Sequence, residues 1–185
     1  MDLKERYKRL KELVTERKEK FGELMGFVEK ETEFLTAPAS TRYHLCRAGG
    51  LLEHSVNVAE TMLKIKEKLA PEISDESCVI VALLHDLGKA GLPGEPQYIR
   101  TVENSSSRAP YQFNRNLLYL SVPVRSLYIA SSRFPLTPAE AQAIIYHDGQ
   151  YVEDNRSVAG KEEPLTLLLQ YADNWSGFVI EDRRK

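Results

Sequence analysis

A histidine and an aspartate lie side by side, as His85 and Asp86, directly after a run of apolar residues. Residues 78–84 are apolar on every side, which predicts a buried helix rather than a helix on a surface. Burying the pair without a partner would cost roughly 2–7 kcal/mol for a polar group and more for a charge. A divalent metal ion removes this cost, because imidazole and carboxylate groups both bind metals when deprotonated. An ordinary helix end is the alternative, and the dipeptide alone does not decide between the two.

Gly88 and Lys89 follow the pair and extend this prediction. Glycine is typical of the position just after a helix, so we predict that Gly88 ends the helix that carries His85. Lys89 brings a positive charge to the same place, where it would favour an anionic ligand. Adjacent helical residues point about 100° apart, so His85 and Asp86 need further ligands from other helices to enclose one ion.

Histidines or aspartates occupy inward helical positions at three other places in the chain. His54 shares a predicted helix face with Leu51 and other apolar residues. His147 and Asp148 repeat the first pattern, because they end a predicted helix just before a glycine. Asp173 lies on the leucine-rich side of a late helix, where an unpaired carboxylate would be costly. Each residue alone could be a hydrogen-bonded core residue, but a common metal site explains all four places together.

The periodicity of the chain predicts that helices position these groups. Apolar residues recur at helical spacing over residues 51–69, over the stretch that leads to His85, and over 137–147 and 164–175. Ser74 or Asp75 can cap the helix of His85, and Thr137 and Glu140 form a capping-box pattern. The sequence shows no alternating strand pattern, so we predict an all-α fold, a helical bundle.

Composition and charge narrow the class of protein. The 185-residue chain is 42% hydrophobic and 28% charged, which suits one soluble domain with ample material for a core. Its net charge of −2 argues against general nucleic-acid binding, which usually requires a basic face. The two cysteines lie too far apart for a C-x-x-C motif. No run reaches 18 apolar residues and the first residues are charged, so we expect a cytoplasmic protein without a membrane partner.

Residues 1–35 are rich in Lys and Glu and are predicted to form an amphipathic helix that extends a domain spanning residues 36–185. Apolar residues from Leu3 to Val28 follow steps of three and four, close to four heptads, and Arg17 interrupts the stripe. We favour a helix docked on its own domain. The alternative is a dimerisation arm, through which the protein would form a homodimer.

More than 20 residues after Lys89 lack helical periodicity, which is typical of a functional loop or lid. This loop carries Arg100, Arg108 and Arg115, and Arg47 lies in the linker before the helix of His54. We predict that these four arginines contact an anionic substrate. Solvation without a ligand is the alternative for each arginine taken singly.

Together these motifs resemble the HD-domain superfamily of metal-dependent phosphohydrolases, whose pattern is a first histidine, a His-Asp doublet and a late aspartate. The matching segments are G-G-L-L-E-H-S at 49–55, L-H-D-L-G-K at 84–89 and Y-A-D at 171–173. The resemblance covers residues 40–178 and leaves the first 35 outside it. It implies the helical fold and the metal site of that superfamily, and it says little about the substrate.

By this resemblance one divalent ion would be bound by four side chains: His54, His85, Asp86 and Asp173. The mixed set suits Mn, Fe, Co, Ni, Zn or Mg and does not choose among them. The implied reaction is hydrolysis of a phosphomonoester or phosphodiester of a nucleotide by metal-activated water. Lys89 would neutralise developing charge, and His147 or Asp148 would orient the attacking water.

Two interpretations other than an enzyme stay open. The first is a non-catalytic HD module that regulates or binds nucleotides, and the second is an accessory domain of an RNA-processing assembly. Retention of all four ligands favours the enzyme. Relatives with two metals often carry a histidine where this chain has Leu120 to Pro123, so we predict one tightly bound ion rather than two.

Overall fold

Helices form most of the part of the chain that the structure describes, as predicted. The computed structural model describes residues 1–101 and 109–181. The α-helices within these ranges are α1 Leu3–Glu12, α2 Lys18–Glu31, α3 Gly50–Leu69, α4 Asp75–Leu84, α5 Val122–Ser131, α6 Pro138–Tyr146 and α7 Pro164–Trp175. Shorter 3-10 turns cover Leu87–Ala90, Gly149–Tyr151 and Glu153–Val158, and a π-helical turn covers Ser176–Ile180. None of the described helices has the length and apolar character needed to cross a membrane.

A small hairpin, which the sequence pattern does not predict, interrupts the helices. Strands β1 Tyr98–Arg100 and β2 Tyr111–Phe113 pair antiparallel, with Tyr98 opposite Phe113. Three residues are too few for an alternating pattern to emerge, which is why the sequence pattern does not reveal these strands. Apart from this hairpin, the predicted all-α fold is confirmed for the described residues. The hairpin occupies part of the predicted loop after Lys89.

α4 runs through the centre of the fold, between α3, α6 and α7. Every residue from 78 to 84 is fully buried, as the absence of a polar side on this helix predicted. Ser74 caps its first turn by accepting a hydrogen bond from the backbone N–H of Ser77 at 3.0 Å. The capping box of Thr137 and Glu140 likewise begins α6. These local signals explain where α4 and α6, the helices that lead to His85 and His147, begin.

α4 ends at Leu84, one residue before His85, so the prediction that Gly88 ends this helix was wrong. Gly88 instead lies inside the 3-10 turn Leu87–Ala90, close to the start of α5. A Cβ atom at Gly88 would lie 2.3 Å from the carbonyl oxygen of Val122. The backbone N–H of Gly88 also donates to the Ser126 hydroxyl at 2.7 Å. Glycine is required here because α5 packs directly on the turn that follows His85 and Asp86.

We expect Gly88→Ala to lower the free energy of unfolding by about 1–3 kcal/mol, because the added methyl group forces packed neighbours apart. Gly22→Ala is the matched control with the opposite expected sign. Gly22 lies inside α2, and a Cβ atom at this position would have no neighbouring atom within 4 Å. Replacing such a glycine by alanine stabilises a helix by about 0.5–1 kcal/mol. Chemical denaturation measures both changes, and equal shifts in the two variants would contradict the close-contact argument.

The first 35 residues form two helices rather than the single predicted one. α1 and α2 are separated by a break at residues 13–17 that contains Arg17. Apolar side chains of both helices and of the break join the same hydrophobic core as α3 and α4: Tyr7, Leu10, Val14, Phe21, Leu24, Met25 and Val28. The stripe that would have formed a dimer seam is therefore buried within this chain. The domain boundary at residue 35 and the homodimer stay predictions.

Candidate metal centre

α3 carries His54 into the interior, where its side chain is 1% exposed. Nδ1 of the ring lies 3.0 Å from Oε2 of Glu181, so this nitrogen donates its N–H to the carboxylate. In the neutral ring, Nε2 is then the lone-pair nitrogen. This Nε2 lies 3.1 Å from Oδ1 of Asp173 on α7.

His85 and His147 occupy equivalent positions at the ends of two helices. Each is the residue immediately after its helix, α4 or α6, and each side chain is at most 2% exposed. Nδ1 of His85 lies 2.8 Å from the carbonyl oxygen of Ala82, and Nδ1 of His147 lies 2.8 Å from that of Ile144. Both rings therefore donate Nδ1–H to the last turn of the helix and direct Nε2 inward.

The Asp86 carboxylate lies at the meeting point of the three imidazoles. Its Oδ2 lies 3.5 Å from Nε2 of His54 and 3.4 Å from Nε2 of His85, and its Oδ1 lies 3.5 Å from Nε2 of His147. Lys89 donates to the same carboxylate with an Nζ to Oδ2 distance of 2.5 Å. Asp86 thus contacts every imidazole that the two helix ends and α3 bring together.

The contact between His54 and His85 tests whether a metal ion fits this site. Their Nε2 atoms lie 3.4 Å apart, and the Nδ1–H group of each ring is already engaged. Two neutral rings in this arrangement would direct lone pairs at each other in a buried place, which is unfavourable. A proton or a metal ion between the nitrogens removes the conflict. The donor set therefore fits a cation.

The pKa values of two imidazoles reflect the same demand for positive charge. Burial by itself lowers the pKa of His54, but hydrogen bonds to Asp173 and Glu181 outweigh it and raise the pKa to about 10. Burial also lowers the pKa of His147, and the hydrogen bond to Asp86 contributes to a net rise to about 9. The carboxylates around these rings therefore stabilise a positive charge at the centre.

The carboxylates show the complementary shift. Burial would raise the pKa of Asp86, but the charge of Lys89 and the neighbouring imidazoles hold it well below its usual range. Burial would also raise the pKa of Asp173, but the hydrogen bond to His54 favours the ionised form. The pKa of Asp173 therefore lies below its usual range as well. With neutral imidazoles, the three less exposed carboxylates of the site, those of Asp86, Asp173 and Glu181, exceed the single charge of Lys89 by two, while Asp148 is 43% exposed to solvent. A divalent cation would balance this excess.

A cavity of about 390 Å³ opens onto these groups. Its wall contains His54, Asp86, Lys89, His147 and Asp173, together with His44, Asp148, Tyr151, Asn174, Gly177 and Phe178. The side chain of Asp148 is 43% exposed, and its Oδ1 lies 3.6 Å from Nε2 of His147. A small ligand in this cavity would reach both the candidate metal ligands and a solvent-accessible carboxylate.

The sequence of these groups matches a known domain. A family model described as the HD domain matches residues 51–175, which is more than half of the chain. The chain belongs to the HD-domain family. The match begins with α3 and ends with α7, so it contains the HD doublet of His85 and Asp86 as well as His54 and Asp173.

One curated relative of this HD protein is the dihydroneopterin 2',3'-cyclic phosphate phosphodiesterase of Methanocaldococcus jannaschii. It is 28% identical over 138 residues, which cover 66% of this chain and 53% of the relative. The chain therefore spans about half the length of that protein. No solved structure gives a significant match.

The structure places the residues predicted for the HD site in two groups. The first group lines the cavity: His54, Asp86, Lys89, His147, Asp148 and Asp173. His85 lies directly behind the cavity wall, in contact with Asp86. Their roles as metal ligands and catalytic groups stay predictions, because geometry alone does not test them.

The predicted substrate arginines are the second group, and none of those described lines this cavity. Arg47 is exposed and pairs with Glu53. Arg100 lies on β1 and Arg115 just after β2, and both are exposed. Arg108 lies outside the described residues. Contact with substrate stays a prediction for all four.

Sequence reasoning missed His44 and Glu181 as members of the site. His44 lines the cavity, and its ring centroid lies 4.9 Å from that of His54. Burial and then the nearby His54 lower the pKa of His44. Both residues lie outside the elements with clear periodicity, in the linker before α3 and after the last helical turn. Only the histidine type of His44 could have drawn attention to it.

Proposed function

We propose that this protein is a metal-dependent phosphohydrolase that cleaves a phosphate ester of a nucleotide-like molecule. The observation that carries the proposal is the convergence of three imidazole Nε2 atoms on the Asp86 carboxylate, at distances of 3.4 to 3.5 Å. HD-family membership and the phosphodiesterase named above support the same chemistry.

Four side chains would hold one divalent ion: His54, His85, Asp86 and Asp173. When bound there, the ion would supply Lewis-acid activation of the phosphoryl group and of water. Three sets of residues have donor atoms within 4.8 Å of one another: His54–His85–Asp173, His85–Asp86–His147 and His44–His54–Glu181. The first two share His85, whose Nε2 can bind only one ion, so they cannot each hold a metal at the same time. In the third set, Nδ1 of His54 already donates its N–H to Glu181. These contacts support the prediction of a single tightly bound metal.

The remaining polar groups would act on the substrate directly. Lys89 is held by Asp86 and would donate to a phosphate oxygen, which stabilises the negative charge of the transition state. Asp148 is partly exposed beside His147 and would accept a proton from the water that attacks phosphorus. The oxygen of that water forms the new bond to phosphorus, the ester bond breaks, and the leaving oxygen takes up the proton that Asp148 accepted.

A second cavity suits the remainder of a nucleotide-like substrate. It measures about 770 Å³ and shares Asp148 with the first cavity, so a ligand could extend from one into the other. Phe113 and Tyr146 contribute aromatic surface to its wall, and Arg125 contributes a cation. Flat heterocycles bind well in such surroundings. We therefore include 2',3'-cyclic nucleotides and pterin cyclic phosphates among the first substrates to be tested.

Metal analysis of protein purified without added metal, followed by phosphate-ester assays, tests the proposal. We expect turnover that a chelator abolishes and a divalent ion restores. Binding of nucleotides by the metal-loaded protein without any turnover would instead support the non-catalytic module. Association with RNA or ribonuclease subunits, again without turnover, would support the accessory-domain hypothesis.

His147→Ala separates catalysis from metal retention in the same assay. We expect turnover to fall about 10²–10⁴-fold, as for loss of a group that acts in general acid–base catalysis or orients water. Metal content should stay near one ion per chain, because the four predicted ligands remain. Two ions per chain after dialysis, falling to one in the variant, would contradict the single-metal prediction.

A further inference from the structure

Glu181 lies behind His54, on the side of the ring that faces away from the other imidazoles. Its Oε2 lies 3.0 Å from Nδ1 of His54, and its Oε1 accepts a hydrogen bond from Nδ2 of Asn57 at 2.7 Å. We propose that Glu181 is the positioning residue of His54, fixing the ring so that Nε2 faces the metal. This inference rests on the metal site proposed above.

The Glu181 carboxylate is buried and depends on His54 for its charge balance. Its side chain is 2% exposed, and no lysine or arginine among residues 1–101 and 109–181 forms an ion pair with it. Nε2 of His44 lies 3.8 Å away, which is beyond hydrogen-bonding distance. Of the groups around the Glu181 carboxylate, the imidazole of His54 is therefore the main one that can balance its charge. A carboxylate in this position makes the opposite ring nitrogen a stronger metal ligand.

Asn57 and Arg6 extend the hydrogen-bond chain away from the site. Nη2 of Arg6 donates to Oδ1 of Asn57 at 2.8 Å, which leaves the Asn57 NH₂ group to face Glu181. Arg6 is itself held by Glu60 through contacts of 2.7 and 2.9 Å. Arg6 and Glu181 both lie outside the segment matched by the family model, residues 51–175. Two segments beyond the matched domain therefore orient one of its metal ligands.

His54 differs in this respect from the other two imidazoles. His85 and His147 donate Nδ1–H to neutral carbonyl oxygens of their own helices, so local geometry fixes both rings. His54 lies in the second turn of α3, and its Nδ1 partner comes from residue 181. Loss of Glu181 should consequently disturb His54 while the other two rings stay in place.

Competition with a chromophoric chelator, using zinc as the probe, tests the proposal on the full chain. We expect Glu181→Ala to weaken zinc affinity about 10–100-fold, the usual effect of removing such a partner. Glu153→Ala removes an exposed carboxylate, 86% accessible, and is the control with unchanged affinity. Circular dichroism and thermal unfolding establish that each variant is folded.

A paired substitution distinguishes positioning from general packing. Glu181→Gln alone should weaken zinc binding, because its single oxygen cannot serve both His54 and Asn57 and its NH₂ group would face that of Asn57. Adding Asn57→Asp places a carboxylate acceptor opposite the amide NH₂ group introduced at position 181. The zinc affinity of this double variant should therefore return to within about 10-fold of that of the natural protein. Natural protein that binds no zinc would overturn the metal site and, with it, this inference. Zinc binding by the natural protein with equal affinity in Glu181→Ala would overturn the positioning role alone.

Discussion

Asp86→Asn is expected to abolish phosphate-ester hydrolysis and to weaken divalent-metal binding by more than about 100-fold. A loss of about 100-fold is the largest usually seen when a residue that only hydrogen-bonds to a metal ligand is removed. The substitution keeps the size of the side chain but removes its charge. Asp86 is the residue that contacts His54, His85 and His147 together, at 3.4 to 3.5 Å, and it also holds Lys89. No other carboxylate of the described residues has this set of contacts.

Asp75→Asn is the matched control for this experiment, because it makes the same chemical change at an exposed position of α4, the helix that leads to His85 and Asp86. Asp75 lies in the first turn of α4, its side chain is 54% exposed, and it pairs with Lys66. We expect the control to keep activity and metal affinity. Thermal unfolding of both variants shows how much of any loss reflects stability. Full metal occupancy in Asp86→Asn would contradict its assignment as a ligand.

Residues whose chemistry and helical position coincide could be recognised from the sequence. His85 and Asp86 follow an unbroken apolar helix, and His147 follows a helix with a capping box, so their burial could be predicted locally. His54 and Asp173 lie on apolar faces of α3 and α7. The periodicity of each helix therefore predicted which residues point inward, and the family resemblance predicted that they meet.

Contacts made across the fold could not be predicted in the same way. Glu181 reaches His54 only after α7 and the turn that follows it have packed against α3. The close approach of α5 to Gly88, in the turn that follows α4, is another contact that no local signal records. The break between α1 and α2 likewise involves contacts with distant helices. Arg17, which interrupts the apolar stripe there, forms ion pairs with two glutamates from other helices.

Arg17→Met is expected to lower the free energy of unfolding by about 3–5 kcal/mol, the usual cost of leaving a buried charge without its partner. Arg17 contacts Oε1 of Glu76 at 2.7 Å and Oε1 of Glu140 at 2.6 Å. The side chains of these glutamates are 8% and 0% exposed. Methionine keeps much of the volume, so the loss reports mainly on charge. Denaturant unfolding at neutral pH measures it.

The loss of stability in Arg17→Met should depend on pH. Burial tends to raise the pKa of Glu76 and Glu140, but Arg17 and other donors hold both below the ordinary value of 4.5. In the natural protein the lowered pKa values of the two glutamates stabilise the folded state above pH 4.5. This stabilisation is lost as the pH falls through the lowered pKa values. Without Arg17, burial raises the pKa of both glutamates relative to the natural protein. Protonating them in acid should therefore recover part of the stability that the variant has lost. The difference between the two proteins should therefore be greatest at neutral pH and narrow in acid.

Arg156→Met is the control for this prediction, since it removes an arginine from an exposed pair with Glu153, whose partners are 72% and 86% accessible. It should change the free energy of unfolding by no more than about 0.5 kcal/mol, as surface substitutions usually do. Adding Glu76→Gln and Glu140→Gln to Arg17→Met should recover part of the lost stability at neutral pH, because the uncompensated charges are removed. A loss in Arg17→Met that is the same at neutral and acid pH, or that the two glutamine substitutions deepen, would show that Arg17 stabilises the break between α1 and α2 by packing rather than by charge.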